Sequence, residues 1–94
     1  MKFAIIVLNY NDHENTIKYV QAVKHYNIID KIIIVDNNST IKNEVKILKE
    51  LESEKVEVIS SDKNGGYAYG NNFGIRYLQN LNEKVNVESE NVFT

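Results

Sequence analysis

Three short apolar runs, each followed at once by polar residues, constrain the fold of this chain more than any other feature of its sequence. They cover residues 3–8, 32–35 and 56–59. The first two contain no polar residue and are rich in isoleucine and valine, which is typical of strands buried on both faces. Because sheets of such strands are usually parallel, the pattern predicts a parallel sheet.

The segments between these runs have the apolar periodicity of helices. Residues 13–26 and residues 41–51 place apolar side chains at intervals of three or four residues. We expect Ser39 or Thr40 to cap the second of these helices. Residues 67–81 are predicted as a third helix. A helix after each strand supplies the cover that a buried parallel sheet requires.

A fourth strand is predicted to begin at residues 91–94, after a polar surface connection over residues 82–90. The chain then alternates strand and helix, which predicts an α/β protein with right-handed crossovers. We expect three layers: an open parallel sheet in the order 3-2-1-4, with helices on both faces. A chain of 94 residues without a linker-like segment fits one domain, over residues 1–94.

Composition excludes several functions. No cysteine is present, so disulfides and thiolate metal sites are excluded. His13 and His25 have no ligand-like spacing, and we predict no metal site in the chain. A net charge of −2 at pH 7 does not favour binding to nucleic acid. The run at residues 3–8 is too short for a membrane span and lacks a signal-peptide cleavage site, so we expect a cytoplasmic protein.

Polar loops follow all three strands, at residues 9–11, 36–39 and 62–72. In open parallel sheets, ligands bind beyond the carboxyl ends of the strands. Any turn needs polar residues and glycines, so each loop taken alone also fits a purely structural role. Three such loops at one edge of the sheet favour a ligand site.

Asp36 is the sharpest single candidate, because a carboxylate at the end of a buried strand can accept a hydrogen bond from a ribose hydroxyl or a base imide. Its structural alternative is to cap the helix that follows. Dinucleotide-binding folds also carry an acid after the second strand, but they need a Gly-x-Gly-x-x-Gly turn after the first. Residues 9–13 contain no glycine, which excludes NAD binding.

Gly66, Gly70 and Gly74 lie four residues apart and would form one bare stripe on a helix. Each costs roughly 1 kcal/mol relative to alanine in a helix interior. The stripe therefore indicates the close approach of a strand or of a ligand, and the sequence leaves both open.

Three segments together resemble family-2 glycosyltransferases of the GT-A fold. They are an apolar strand ending in Asn-Tyr-Asn, the stretch Ile-Ile-Val-Asp-Asn-Asn-Ser-Thr, and the stretch Asn-Gly-Gly-Tyr-Ala-Tyr-Gly-Asn-Asn-Phe-Gly-Ile-Arg. The pattern is most similar to the rhamnosyltransferase-like branch. The resemblance covers residues 3–80 in the right order and spacing.

The resemblance implies the Rossmann-like, nucleotide-binding N-terminal part of an enzyme that transfers a sugar from a nucleoside-diphosphate sugar, UDP- or dTDP-linked, to an acceptor hydroxyl. It implies that Tyr10 and Asn11 line the base and ribose pocket, and that Asp36 binds the base. It places Gly66, Asn71 and Asn72 beside the ribose or diphosphate. The expected binding residues are Asn9, Tyr10, Asn11, Asp36, Asn38, Gly66, Asn71 and Asn72.

Members of the family hold Mg²⁺ or Mn²⁺ on the diphosphate with an Asp-x-Asp-like motif after the fourth strand, and use an acidic general base further along. Neither lies within residues 1–94. The resemblance therefore implies a truncated enzyme: no catalytic residue in this chain, metal only in the full-length protein, membrane contact only through other regions, and no transferase activity from the chain alone. We also expect a homodimer through the exposed edge at residues 91–94.

Two alternatives from other classes fit parts of the sequence. A non-catalytic flavodoxin-like binding or regulatory domain has the same alternation of strands and helices. An RNA-recognition motif has a similar length, and residues 5–10 and 66–69 partly match its aromatic signatures. However, Ile6 stands where a stacking aromatic is needed and Gly65 where a basic residue is needed.

Overall fold

The computed structural model describes residues 3–81 and the backbone of residues 86–92. Strands and helices alternate throughout, as the apolar runs and the amphipathic segments predict. The elements are β1 (Phe3–Asn9), α1 (His13–Val23), β2 (Ile29–Asp36), α2 (Glu44–Lys49), β3 (Val56–Ser60), α3 (Gly66–Asn80) and β4 (Asn86–Val92).

The four strands form one parallel sheet in the order β3-β2-β1-β4, which is the expected order. The predicted α/β class is confirmed. The register aligns the carboxyl ends of the strands: Asn9 at the end of β1 lies opposite Asp36 at the end of β2, which lies opposite Ser60 at the end of β3. This alignment brings the loops that follow the strands to one edge of the sheet.

Hydrophobic clusters cover both faces of the sheet, because β1 is apolar from Phe3 to Leu8 and β2 is apolar from Ile32 to Val35. Alternate residues of each strand point to opposite faces. Ile5 and Val7 pack with residues of α1 and α2 on one face, while Ile6 and Leu8 pack with Leu78 of α3 on the other. Burying each such side chain contributes about 1.5–3 kcal/mol, so the sheet forms a rigid support for its edge.

The glycine stripe of α3 packs against the sheet at two of its three positions. A Cβ at Gly74 would lie 3.0 Å from Ile6 Cγ2, and a Cβ at Gly70 would lie 2.8 Å from Leu8 Cδ2. Gly66 differs, since nothing lies within 4 Å of its Cβ position and its φ of +84° is one that side chains disfavour. Sheet packing therefore accounts for Gly70 and Gly74, and backbone conformation for Gly66.

The predicted bounds of the first two helices are wrong. Helix α1 ends at Val23 instead of residue 26, and α2 covers only Glu44–Lys49 instead of residues 41–51. The N-cap of α2 is Asn43, with a φ of 66° and no side-chain cap hydrogen bond, so the predicted cap at Ser39 or Thr40 is also wrong. Both of those side chains bond to other parts of the carboxyl edge.

Strand β4 begins earlier than predicted. It covers Asn86–Val92 and pairs along its length with β1, so most of it falls in the segment that was expected to be a surface connection. Of the residues predicted to begin the strand, 93 and 94 lie outside the described residues. Within the described ranges, none of the helices has the length and apolar character needed to cross a membrane.

Candidate functional site

Three loops meet at the carboxyl edge of the sheet: loop 1 (residues 10–12), loop 2 (residues 37–43) and loop 3 (residues 61–65). Their backbones are held next to one another by main-chain hydrogen bonds that continue the sheet. Asn37 N donates to Asn9 O at 2.8 Å. The parallel register thus produces the juxtaposition that the sequence predicts.

Asn11 joins loop 1 to loop 2 through four hydrogen bonds. Its backbone N–H donates to Ser39 Oγ at 2.9 Å, and its Nδ2 donates to Thr40 Oγ1 at 2.9 Å. Its Oδ1 accepts from the backbone N–H groups of Thr40 and Ile41, at 2.8 and 2.9 Å. A φ of 52° at Asn11, which asparagine tolerates better than most residues, aims the side chain across the gap. Both polar atoms of the Asn11 side chain are therefore used in linking loop 1 to loop 2.

Asn37 ties loop 2 to loop 3 and to the start of α3. It is fully buried, its Nδ2 donates to Gly66 O at 3.3 Å, and its Oδ1 accepts from Ser61 Oγ at 3.2 Å. The absence of a side chain at Gly70 leaves the space that Asn37 occupies. Our sequence analysis missed Asn37, because its role depends on partners far along the chain.

Asp36, at the end of β2, holds loop 2 in place through hydrogen bonds to Ser39. Its side chain is almost completely buried, with 1% of the residue exposed. Oδ1 accepts from Ser39 Oγ at 2.6 Å and from Asn9 Nδ2 at 2.9 Å, while Oδ2 accepts from Ser39 N at 2.9 Å. Asp36 thus caps the loop and not the helix α2. Oδ1 holds two hydrogen bonds and Oδ2 one, so the remaining acceptor capacity is on Oδ2.

Asn9 lies beneath the edge, fully buried, and contacts residues of three different elements. Besides Asp36, its Nδ2 donates to Glu44 Oε2 at 2.9 Å, and its Oδ1 accepts from Thr16 Oγ1 at 2.6 Å. Asn9 was expected among the binding residues. The structure places it as an internal connection between the edge and the first two helices.

Glu44 is a buried carboxylate that the sequence analysis did not single out. Its Oε1 lies 2.8 Å from His13 Nδ1, and 2% of the residue is exposed. Burial raises the pKa of Glu44, but hydrogen bonds from Asn9 and His13, together with the positive charge of protonated His13, outweigh burial and lower the pKa below the ordinary glutamate value. His13, in the first turn of α1, is only partly exposed and is paired with Glu44. One signal was available: Glu44 adjoins Val45 in the apolar stripe of its helix.

The remaining expected binding residues lie on the surface of the edge. Tyr10 in loop 1 is half-buried, and Asn38 in loop 2 is exposed with a φ of 59°. Gly66 and Asn72 are exposed and Asn71 is half-buried, all in the first two turns of α3. The expected set therefore divides into residues that are buried and residues that lie at the surface of the edge. The buried members are Asn9 and Asp36.

A hydrogen bond and an aromatic contact hold loop 3 on α3. The Tyr69 hydroxyl donates to Asp62, and Lys63 Nζ lies 4.8 Å from the centre of the Tyr69 ring. The hydrogen bond lowers the pKa of the Asp62 carboxyl and raises the pKa of the Tyr69 hydroxyl. Loop 3 is thus anchored to the first turns of α3.

One surface cavity lies at the edge and another lies along α3. One, of about 270 Å³, is lined by side chains of loops 1 and 2 and the start of α1, including Asn11 and Ile41. The other, of about 290 Å³, is lined by residues of α3 from Tyr69 to Asn80 and contains none of the expected binding residues. Among the residues that the structure describes, no three His, Cys, Asp or Glu side chains are grouped to hold a metal ion. These residues do not fit a metal site, so no catalytic step through a metal is derived from them.

Comparison with known proteins identifies the class. The model of the family described as "Glycosyl transferase family 2" matches residues 4–80, which is more than half of the chain. The chain therefore belongs to glycosyl transferase family 2. No curated protein sequence matches it.

Among solved structures, the fold is similar to the mannosyltransferase PcManGT from Pyrobaculum calidifontis, determined in complex with GDP-Man and Mn²⁺. The TM-score is 0.65 and the sequence identity 17%, and the match covers 81% of this chain and 24% of the mannosyltransferase. At this identity the similarity shows the fold, which is the Rossmann-like part of a GT-A domain. The chain spans about a quarter of the length of that enzyme.

Proposed function

We propose that this chain binds the nucleotide of a nucleoside-diphosphate sugar and contributes that site to an enzyme that transfers the sugar to an acceptor hydroxyl. The observation that carries the proposal is the edge itself. In a chain that belongs to glycosyl transferase family 2, loops 1, 2 and 3 are tied together where an open parallel sheet binds its ligands.

Tyr10 and Asn38 are the proposed contacts to the base and ribose, because both present side chains at the surface of the edge. Gly66, Asn71 and Asn72 are the proposed contacts to the ribose and diphosphate. Gly66 offers a backbone without a side chain, so a phosphate can approach it closely. Asn11 shapes this surface through its bonds to loop 2.

Asp36 is proposed to accept a hydrogen bond from the base through Oδ2. Uracil and thymine present one imide N–H, which matches a carboxylate with acceptor capacity left on one oxygen. Guanine presents two adjacent donors, which match a carboxylate with both oxygens free. This difference favours UDP- or dTDP-linked donors. Because Asp36 is nearly buried, the contact requires a local opening of loop 2.

The reaction of such an enzyme forms a bond between the acceptor oxygen and the anomeric carbon of the sugar. The bond from that carbon to the diphosphate breaks, the nucleoside diphosphate leaves, and the proton of the acceptor hydroxyl passes to a base. No residue of this chain is assigned as that base. The role proposed here is to bind and orient the donor, and membership of the rhamnosyltransferase-like branch is part of the proposal.

Isothermal titration of the chain with UDP, dTDP, GDP and ADP, in the presence of a chelator, tests the proposal. We expect UDP and dTDP to bind with dissociation constants on the order of millimolar, without a requirement for metal. Asp36→Asn should weaken binding at least about tenfold, since a hydrogen bond to a charged group is lost. Asp62→Asn is the matched control, because it removes an exposed carboxylate at the same edge and should leave affinity unchanged.

Circular dichroism checks that the Asp36→Asn variant is folded, and Tyr10→Ala provides a second variant of the same surface. Equal affinity for all four nucleotides would refute the base assignment, and no binding of any nucleotide would refute the proposed function. We also expect the chain alone to release no nucleoside diphosphate from a nucleotide sugar. Measured turnover would contradict that expectation.

A further inference from the structure

The side chain of Asn9 has a fixed orientation, and two carboxylates fix it. Its Nδ2 lies 2.9 Å from Asp36 Oδ1 and 2.9 Å from Glu44 Oε2. Ionised carboxylates only accept hydrogen bonds, so the amide nitrogen and not the oxygen must face both. The oxygen then accepts from Thr16 Oγ1 at 2.6 Å. Each N–H of the amide has one partner, and a rotation of the amide would break all three bonds.

Glu44 occupies a position where a charge is costly. Charged side chains are almost never fully buried unless they are paired, and 2% of Glu44 is exposed. The charged groups that face it are His13 from α1, at 2.8 Å, and Asp36 from β2, on the far side of Asn9. The backbone N–H of Asp12 in loop 1 also donates to it. Its lowered pKa keeps it ionised, and therefore an acceptor, at neutral pH.

We propose that Glu44 is a positioning residue for nucleotide recognition: it holds Asn9 so that Asn9 occupies Oδ1 of Asp36, which leaves Oδ2 as the oxygen with acceptor capacity for the ligand. His13 braces Glu44 from the opposite side. This inference rests on the proposed function for its effect on affinity. The positioning of Asp36 itself is measurable without any ligand.

Two substitutions of the same residue test the role. Glu44→Ala leaves a buried N–H of Asn9 without a partner and frees its amide to rotate. Glu44→Gln retains an acceptor, because the glutamine Oε1 can accept from Asn9 while its amide nitrogen donates to His13 Nδ1. We expect UDP affinity to fall about tenfold or more in the alanine variant, the consequence of one unsatisfied buried donor, and to stay within about threefold of wild type in the glutamine variant.

Leu48→Ala is the control for a general loss of stability. Leu48 is fully buried on the same helix and packs in the core of the same face, but it has no part in the hydrogen bonds of Asn9. It should lower the thermal midpoint at least as much as Glu44→Ala and leave UDP affinity unchanged. All variants are assayed well below their midpoints, with folded state checked by circular dichroism.

Nuclear magnetic resonance of the ligand-free chain separates this inference from the proposed function. The amide proton of Ser39 reports on Asp36, because Ser39 N donates to Asp36 Oδ2 at 2.9 Å. In Glu44→Ala, the side-chain amide signals of Asn9 and the backbone amide of Ser39 should both shift. In Glu44→Gln and Leu48→Ala, the Ser39 signal should stay near its wild-type position.

A Ser39 amide that is unmoved in Glu44→Ala overturns the positioning role, whether or not UDP binds. Equal losses of UDP affinity in the alanine and glutamine variants, or a loss in Leu48→Ala of the same size, overturn it as well. A wild-type chain that binds no nucleotide refutes the proposed function and leaves the Ser39 measurement to decide the role of Glu44.

Discussion

Gly70→Ala is a perturbation whose effect can be worked out from the packing of α3. A Cβ at this position would lie 2.8 Å from Leu8 Cδ2, 2.8 Å from Asn37 Oδ1 and 3.0 Å from Asn37 Nδ2. Leu8 and Asn37 are both fully buried, so neither has solvent to move into. The added methyl group must push α3 away from the sheet or displace the Asn37 amide that joins loop 2 to loop 3.

Three contributions set the size of the effect. Overpacking a well-filled core costs typically about 1–3 kcal/mol. Weakening the hydrogen bonds of the Asn37 amide costs roughly 1 kcal/mol. The better helix propensity of alanine offsets about 1 kcal/mol. We therefore expect the free energy of unfolding to fall by about 2 kcal/mol, which corresponds to a decrease of roughly 8–16 °C in Tm for a chain of this length.

Urea unfolding followed by circular dichroism measures the change, and Gly74→Ala is the matched control. A Cβ at Gly74 would contact Ile6 and Val35, at 3.0 and 3.1 Å, but would not reach Asn37. Both variants should be less stable than wild type, whereas only Gly70→Ala should also weaken UDP binding, because only it disturbs the join between loops 2 and 3. A Gly70→Ala variant at least as stable as wild type would show that helix propensity outweighs packing here and refute the reasoning.

Three further predictions follow from the charges and edges of the fold. The pKa of Glu44 is lower in the folded chain than in the unfolded chain, so its contribution to stability is present above the ordinary glutamate pKa and is lost as the pH falls through the lowered value. The urea midpoint of Glu44→Gln should therefore decline less in acid than the urea midpoint of wild type. Equal declines of the two midpoints would contradict this prediction. Tyr69→Phe should return the pKa of Asp62 toward its ordinary value, as a carbon-detected titration would measure, and an unchanged pKa would mean that the hydrogen bond is not populated. Light scattering at tens of micromolar should show a dimer, because β4 is the last strand of the described sheet and its outer edge is unpaired there. A mass near 10.9 kDa, which is that of one chain, would contradict the prediction. Removal of residues 88–94 should abolish the dimer.

The sheet was predictable because its signals are local. The runs that became β1 and β2 are apolar at successive positions, and the polar residues that follow them mark the carboxyl edge without reference to any other part of the chain. Strand β4 was misjudged because its sequence, Asn-Val-Glu-Ser-Glu-Asn-Val, has no apolar run. It is a strand because it pairs with β1 along its whole length, and pairing of this kind overrides local propensity.

The position of the candidate site could be predicted from the sequence, but the hydrogen bonds between its residues could not. The three loops could be placed at one edge from their order alone. The role of Asn9 could not, because its partners Asp36 and Glu44 lie 27 and 35 residues away in the sequence. The role of Glu44 was missed for the same reason. A polar residue's task inside a protein is set by which long-range partners reach it, and composition or spacing does not report these partners.

Uncharged side chains make the hydrogen bonds that link the loops to one another. The shape of the edge should therefore depend little on ionic strength. Asn11 and Asn37 bridge neighbouring loops through amide and hydroxyl groups, and dissolved salt screens interactions between charges far more than neutral hydrogen bonds. The shape of the edge should therefore be the same in dilute buffer and in concentrated salt. A change in nucleotide affinity on adding salt would then measure the electrostatics of the charged ligand, with the scaffold held constant.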